Sequence, residues 1–392
     1  MNIKYLLKSL GLNKDMIVMI TTILIITFGR SLWSRYIPKY LQFLGASAFI
    51  IGVYGSLKTM VSGFYQYPGG IVSDKIGSKN ALILFTILSI GGLIIYMFSP
   101  DWKIFLLGTF LVLIWDSMSL PAIFSLIGEA LKKNRAIGFS VQSLLKRLPI
   151  IIAPPLGGYL IEKYGIEYGV KIGIIISIFL AFLTILFQKK FYEKTNIEKR
   201  GVSLGIIGVW NIMDSGLKKL LLADIMARLA SNMVKVYVVL YILDIVGWTP
   251  TGYGMLISLQ MITSTLSYLP AARLADIYGR KPFVTATFLF FSLFPITLVS
   301  IPNPSLIPLA FIIAGLREIG EPARKALIVD LAREEYRGRI IGLYYLIRGL
   351  SMIPAPMIGG LLWSIYPKIP FIVASIIGFL SILIFITIKV KQ

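Results

Sequence analysis

Gly70-Ile71-Val72-Ser73-Asp74-Lys75-Ile76-Gly77-Ser78-Lys79 returns, degraded but readable, as Ala272-Arg273-Leu274-Ala275-Asp276-Ile277-Tyr278-Gly279-Arg280-Lys281, 202 positions later. Two further pairs keep nearly the same spacing. Pro121-Ala122, with Glu129 eight residues after the proline, matches Pro322-Ala323 with Asp330. Ala153-Pro154-Pro155-Leu156-Gly157-Gly158 matches Ala355-Pro356-Met357-Ile358-Gly359-Gly360. A self-match at a fixed offset of about half the chain predicts two units of like architecture.

Between the repeated motifs the chain is apolar over lengths that fix its class. Its 392 residues are 57% hydrophobic and 15% charged, against roughly 45–50% and 25% in soluble proteins. The mean hydropathy is +0.82. A membrane-spanning helix needs about 20 mostly apolar residues. Twelve such stretches are predicted at 16–41, 49–72, 81–98, 104–127, 137–160, 170–187, 220–246, 253–275, 283–301, 307–329, 340–363 and 369–388. The first is the weakest, interrupted by Arg30, Arg35 and Lys39. No cleavable signal peptide is expected, because no small-residue cleavage site closes the first apolar stretch.

The net charge of +21 is explained by topology rather than by a nucleic-acid partner. The amino terminus, alternate loops and the carboxyl tail hold about 25 Lys and Arg, and the opposite loops about four. That bias places both termini in the cytoplasm. Contact with anionic lipid head groups is compatible with it. The longest polar stretch, 189–219, then lies on the cytoplasmic side, with an apolar middle at 205–212 that suits a short surface helix or a plain tether. The chain has no His and no Cys, which removes zinc sites, cysteine nucleophiles and disulfides. No metal, no cofactor and no enzymatic activity are expected, and no Walker-type phosphate loop is present.

On the loop motif, its second copy and the twelve spans, the chain resembles the major facilitator superfamily over essentially its whole length. In that family the loop shows a glycine, three residues, an aspartate, a basic residue, one residue, a glycine and then basic positions. Gly70, Asp74, Lys75, Gly77 and Lys79 match, and Asn80 departs; the second copy keeps Asp276, Gly279, Arg280 and Lys281 but has Ala272 and Ile277. The resemblance implies an all-α integral membrane protein of twelve transmembrane helices in two pseudo-symmetric six-helix bundles, 1–188 and 220–392, joined by the linker 189–219. It implies a secondary transporter of a small molecule in the cell membrane, working by alternating access and driven by ion gradients or exchange; proton-coupled efflux by a monomer is expected, with uptake or exchange of an organic or inorganic anion as the alternative. The run at Pro154, Gly157 and Gly158 resembles a signature of antiporters in the drug-efflux branch, which ordinarily has glycine where Ala153 stands. Its recurrence in the eleventh span supports a structural reading, in which Pro bends a helix and paired Gly permits close contact.

The loop chemistry can be stated on its own. Gly77 and Gly279 suit a tight turn with positive φ. Asp74 stands where a carboxylate can face the positive end of a neighbouring helix, with Lys75 and Lys79 as partners in a gating cluster.

Ionisable side chains at bilayer depth are costly and mark candidate sites. Asp116 lies near the middle of the fourth span; Arg317 and Glu318 occupy the equivalent depth in the tenth. Asp224, Arg228 and Lys235 share one face of the seventh, and Arg317, Glu321 and Arg324 one face of the tenth. Arg30 sits in the first span, Arg147 beside Lys146 in the fifth and Arg348 in the eleventh. The resemblance implies that spans one, four, seven and ten line a central cavity. Arg35, Lys39, Asp224 and Arg324 lie nearer span ends, where snorkelling is expected. Two transport readings follow. Asp116 or Glu318 carries a proton, with Arg317 shifting the balance, or Arg30, Lys235, Arg317 or Arg348 draws in an anionic substrate.

Overall fold

The computed structural model describes residues 14–130, 145–191, 210–332 and 337–387, and all regular structure among them is helical. In chain order the helices are α1 (Lys14–Ser31), α2 (Ile37–Phe43), α3 (Ala48–Phe64), α4 (Gln66–Ile76), α5 (Ser78–Phe98), α6 (Trp102–Ala130) and α7 (Arg147–Phe191). There follow α8 (Ser215–Lys235), α9 (Val238–Leu240) with a π-helical turn over Tyr241–Ile245, α10 (Pro250–Tyr278) and α11 (Arg280–Ser300). The last are α12 (Ile307–Leu316), α13 (Glu321–Leu331), α14 (Arg337–Ser351), α15 (Ala355–Ile365) and α16 (Ile369–Ile386).

Where its residues are described, each predicted span falls on helix, but not every span is one unbroken rod. Among the described residues, six stretches are long and apolar enough to cross a bilayer: Ser78–Phe98, Trp102–Phe124, Arg147–Lys190, Arg280–Ser300, Ile340–Ile365 and Ile369–Ile386. α8 and the turn ending at Ile245 make a seventh, bent by 43°, if the pair is one span. The fifth and sixth predicted spans merge into α7, turned at Gly165 with φ 81° and ψ 167°. The tenth is not the continuous helix expected: α12 stops at Leu316, and Arg317–Gly320 form turns before α13. The start of the fifth span, most of the linker 189–219 and the bases Lys132, Lys133 and Arg135 lie outside the described residues.

The repeat is visible in the backbone. Gly45 and Gly247 have φ of 82° and 80°, and Gly77 and Gly279 have 83° and 89°, each pair 202 positions apart. At Gly77 and Gly279 the predicted tight turns are present, ending α4 and α10 and starting α5 and α11.

The described residues divide into two compact units. One comprises those of Met1–Gly45, Val61–Arg200 and Thr249–Met255, the other those of Ala46–Met60, Gly201–Trp248 and Leu256–Gln392. In the first, α5 packs along α6 and α1 along α7, around Met19, Ile23, Leu82, Phe85, Ile114, Trp115 and Ile123. In the second, α16 packs against α8 and α11, around Leu217, Leu220, Phe288, Phe291, Leu327, Ile328, Tyr344 and Phe385. Burial of such side chains against each other, rather than against lipid, is selected by packing more than by hydrophobicity, since lipid tails are as apolar as leucine.

Candidate functional site

In the first unit, α1 and α6 bring two predicted residues together: the Arg30 guanidinium forms an ion pair with Asp116, both side chains about a quarter exposed. They line a cavity of ≈ 30 Å³ with Trp33, Thr86, Ser89, Trp115 and Ser177 among its walls. That volume is room for about one or two waters. The Trp33 indole N–H donates to Ser177 Oγ at 2.8 Å, holding the first wall in place. A carboxylate paired with a guanidinium on the wall of a small, largely apolar pocket can exchange that partner for a proton. Trp33, Trp115 and Ser177 were not singled out in the sequence; Trp115 beside Asp116 was the available signal.

In the second unit, α8, α13 and α14 build a buried network that the sequence placed elsewhere. Asp224 is fully buried, and its Oδ2 accepts from Arg324 at 2.6 Å, from the Tyr344 hydroxyl at 3.0 Å and from Arg348 at 3.1 Å. Arg228 pairs with Glu321 and lies 3.6 Å from Asp224 Oδ1, and Arg324 also reaches Glu321 at 2.8 Å. Snorkelling of Asp224 and Arg324 is therefore corrected, because their side chains are 0% and 2% exposed. These residues turn inward to one another rather than toward head groups. Of the face predicted on α8, Asp224 and Arg228 meet, whereas Lys235 is exposed in the last turn.

Arg317 and Glu318 stand in the turn between α12 and α13. Arg317 Nε donates to Ala314 O at 2.8 Å, and its guanidinium lies 5.2 Å and 4.8 Å from the Phe291 and Phe294 ring centres. Arg228 lies over the same Phe291 ring at 4.8 Å. Of the residues aligned on the tenth span, Glu321 and Arg324 join the network, and Arg317 stacks on aromatic rings instead. Arg147 is part-exposed in the first turn of α7.

The loop motifs are placed at helix junctions. Asp74 and Lys75 are exposed near the end of α4, and Lys79 is buried in the first turn of α5. In the second copy Asp276 is exposed, Arg280 pairs with Asp330, and Lys281 Nζ donates to Ile386 O at 2.9 Å. The Arg280–Asp330 contact joins two segments that the repeat had flagged separately. The Pro154–Gly158 run in α7 has a plain packing use: a Cβ at Gly157 would lie 1.7 Å from Leu32 O, and one at Gly158 2.3 Å from Pro250 O. At Gly70 an added Cβ would lie 3.9 Å from the Pro121 side chain, an ordinary contact.

Comparison with known proteins agrees with this architecture. The chain is 21% identical over 352 residues to an uncharacterised MFS-type transporter of Methanocaldococcus jannaschii, covering 88% of this chain and 87% of the relative. It is 28% identical over 132 residues to the class C tetracycline resistance protein of Escherichia coli, 34% of this chain and 33% of that one. A variant of the nucleoside transporter NupG superposes with a TM-score of 0.81 at 12% identity, over 96% of this chain and 100% of that one, a likeness of fold. The family model for the Major Facilitator Superfamily matches residues 18–217 and 220–392. The chain is thus a multi-pass membrane transporter and belongs to the Major Facilitator Superfamily.

Proposed function

We propose that this secondary transporter exports a small molecule in exchange for protons, with Asp116 as the proton-carrying group. The single observation that carries the reading is the Arg30–Asp116 ion pair on the wall of a largely apolar cavity, where Ile26, Ile90, Leu93 and Val112 stand beside Thr86, Ser89 and Ser177. Arg30 and a proton are alternative partners of the same carboxylate, so a movement that separates the pair admits the proton and their reunion displaces it. Export is supported by the similarity to a tetracycline resistance protein over a third of the chain.

The anionic-substrate reading drew on a surplus of intramembrane bases. Arg30 faces Asp116, and Arg228, Arg324 and Arg348 converge on Asp224 and Glu321. Bases engaged with carboxylates offer less field to a substrate, so the proton-coupled reading is favoured. The site is completed by Arg147, Lys235, Arg317 and Glu318 on the pathway, and by Gly70, Asp74, Lys75, Gly77, Lys79, Asp276, Gly279 and Arg280 as gating elements. The proposed organisation is two six-helix halves, 1–188 and 220–392, about the linker 189–219. The protein acts as a monomer in the cell membrane with both termini cytoplasmic, as the loop charges indicate.

The test begins with a thermal-shift ligand screen on purified protein, since a ligand that binds the native state stabilises it. A ligand so found is then followed in proteoliposomes under an imposed pH gradient. Accumulation against its own gradient, collapsing when the pH gradient is dissipated, is the expected result. Transport indifferent to the pH gradient rejects the coupling.

A further inference from the structure

The repeat extends to two tyrosines that no motif or charge singles out. Tyr36 and Tyr237 lie 201 positions apart, and both are 0% exposed. In the first unit the Tyr36 hydroxyl stands 2.8 Å from Pro154 O on α7 and 2.9 Å from Pro250 O at the start of α10. In the second, the Tyr237 hydroxyl stands 2.9 Å from Pro356 O on α15 and 3.0 Å from Ala48 O at the start of α3. Pro154 and Pro356, like Ala48 and Pro250, are 202 positions apart. The same four-part arrangement has been built twice.

Around each hydroxyl two backbones meet reciprocally through glycine. A Cβ at Gly254 would fall 2.4 Å from Pro154 O, and one at Gly158 2.3 Å from Pro250 O. The counterparts are Gly52, 2.4 Å from Pro356 O, and Gly360, 2.7 Å from Ala48 O. In each case a carbonyl of one helix faces the glycine of the other, and no side chain fits between. The phenol has one proton to donate and faces two carbonyls. If the helices part, the hydroxyl keeps one acceptor, so no buried donor is orphaned. A contact that gains a shared hydrogen bond on closing, and leaves no unsatisfied donor on opening, has the property required of a reversible joint.

We propose that Tyr36 and Tyr237 are a matched pair of latches, one holding α10 to α7 and the other α3 to α15, and that both release in each transport cycle. They are positioning residues, acting through the Pro250 and Ala48 carbonyls. The proposal needs alternating access but no particular coupling ion, so it stands or falls apart from the role given to Asp116.

The first latch carries an outer brace that supplies a test site: Thr251 N–H donates to Glu162 Oε2 at 3.3 Å. The chain has no native cysteine, so Glu162→Cys with Thr251→Cys reports the first latch, and Phe49→Cys with Ser364→Cys, at the repeat-equivalent positions, the second. Spin labels at each pair measure the fraction of parted helices. Tyr36→Phe and Tyr237→Phe should each raise the parted-to-closed ratio at their own latch by about two- to ten-fold, the effect of one net hydrogen bond. A merely structural role would lower thermal stability without moving that ratio, and an unmoved ratio in folded variants overturns the proposal. Should a phenylalanine variant fail to fold, the tether decides with both tyrosines in place. Bridging either cysteine pair with a short bifunctional thiol reagent should stop transport. Full-rate transport by the tethered protein shows that the contact never opens and overturns the proposal.

Discussion

Arg324 and Asp224, one hundred positions apart in the chain, form a hydrogen-bonded ion pair at 2.6 Å with side chains only 2% and 0% exposed. Arg228 and Arg348 face the same carboxylate, so one buried anion ties α8 to α13 and α14. Removing one partner of a buried pair costs about 3–5 kcal/mol, because the other charge is left uncompensated. Asp224→Asn removes the carboxylate that three guanidiniums face, leaving Arg228 and Arg324 to share Glu321, and should cost that much. Arg348→Gln leaves Asp224 two guanidiniums and should cost clearly less. Thermal unfolding in detergent measures both, and equal losses would contradict a network centred on Asp224.

Asp116→Asn should abolish the proton-driven part of transport while sparing substrate exchange, since the neutral amide keeps the shape of the site but cannot cycle a proton. Proteoliposome assays with and without a pH gradient separate the two activities. Glu318→Gln should retain coupling. If both variants keep full proton-driven transport, neither carboxylate carries the proton.

Arg317→Gln tests the sign of the substrate. A charged hydrogen bond to a ligand is worth roughly 1.5–3 kcal/mol, about ten- to hundred-fold in affinity. If Arg317 recognises an anion, the variant should weaken an anionic ligand by that order and a cationic one less. With Arg317 over Phe291 and Phe294, the expected outcome is instead a small, similar change for both. Ligand titration by thermal shift on one anion and one cation decides.

Gly77→Ala should destabilise the protein by about 1–3 kcal/mol, the cost of placing an L-residue in a backbone region essentially reserved for glycine. Gly77 has φ 83° and ψ 146°, and an added Cβ would meet nothing within 4 Å. The effect is thus one of backbone strain and not of crowding. Thermal unfolding should show it, and Gly279→Ala should match it. No loss in either variant would mean the turn relaxes to negative φ.

Asp74→Asn should impair turnover and shift the balance between conformations while leaving expression intact. Asp74 is exposed near the end of α4, outside the buried core, so a folding defect is not expected. Labelling of single introduced cysteines reports the shift. Unchanged accessibility with normal transport would remove Asp74 from the gating elements.

The 202-residue repeat, the apolar spans and the positive-φ glycines at 77 and 279 were all legible in the sequence. Each depends on spacing along one chain: helix length on apolar run length, turn geometry on the absence of a Cβ. Which charges meet was not legible. Asp224 and Arg324 read as span-end residues, and Tyr36 and Tyr237 as two more aromatics. Their decisive partners lie on other helices, at separations of 100 to 214 residues, and helical spacing fixes a residue's face but not what that face meets. The break at Arg317–Gly320 likewise went unread within an apolar window. The sequence alone determined a two-fold repeated helical membrane protein, because hydrophobic length and turn chemistry are local. Only the tertiary structure decided that Asp224 gathers three arginines and that two tyrosines close matching helix contacts, because burial of polar groups is settled by partners brought from far along the chain.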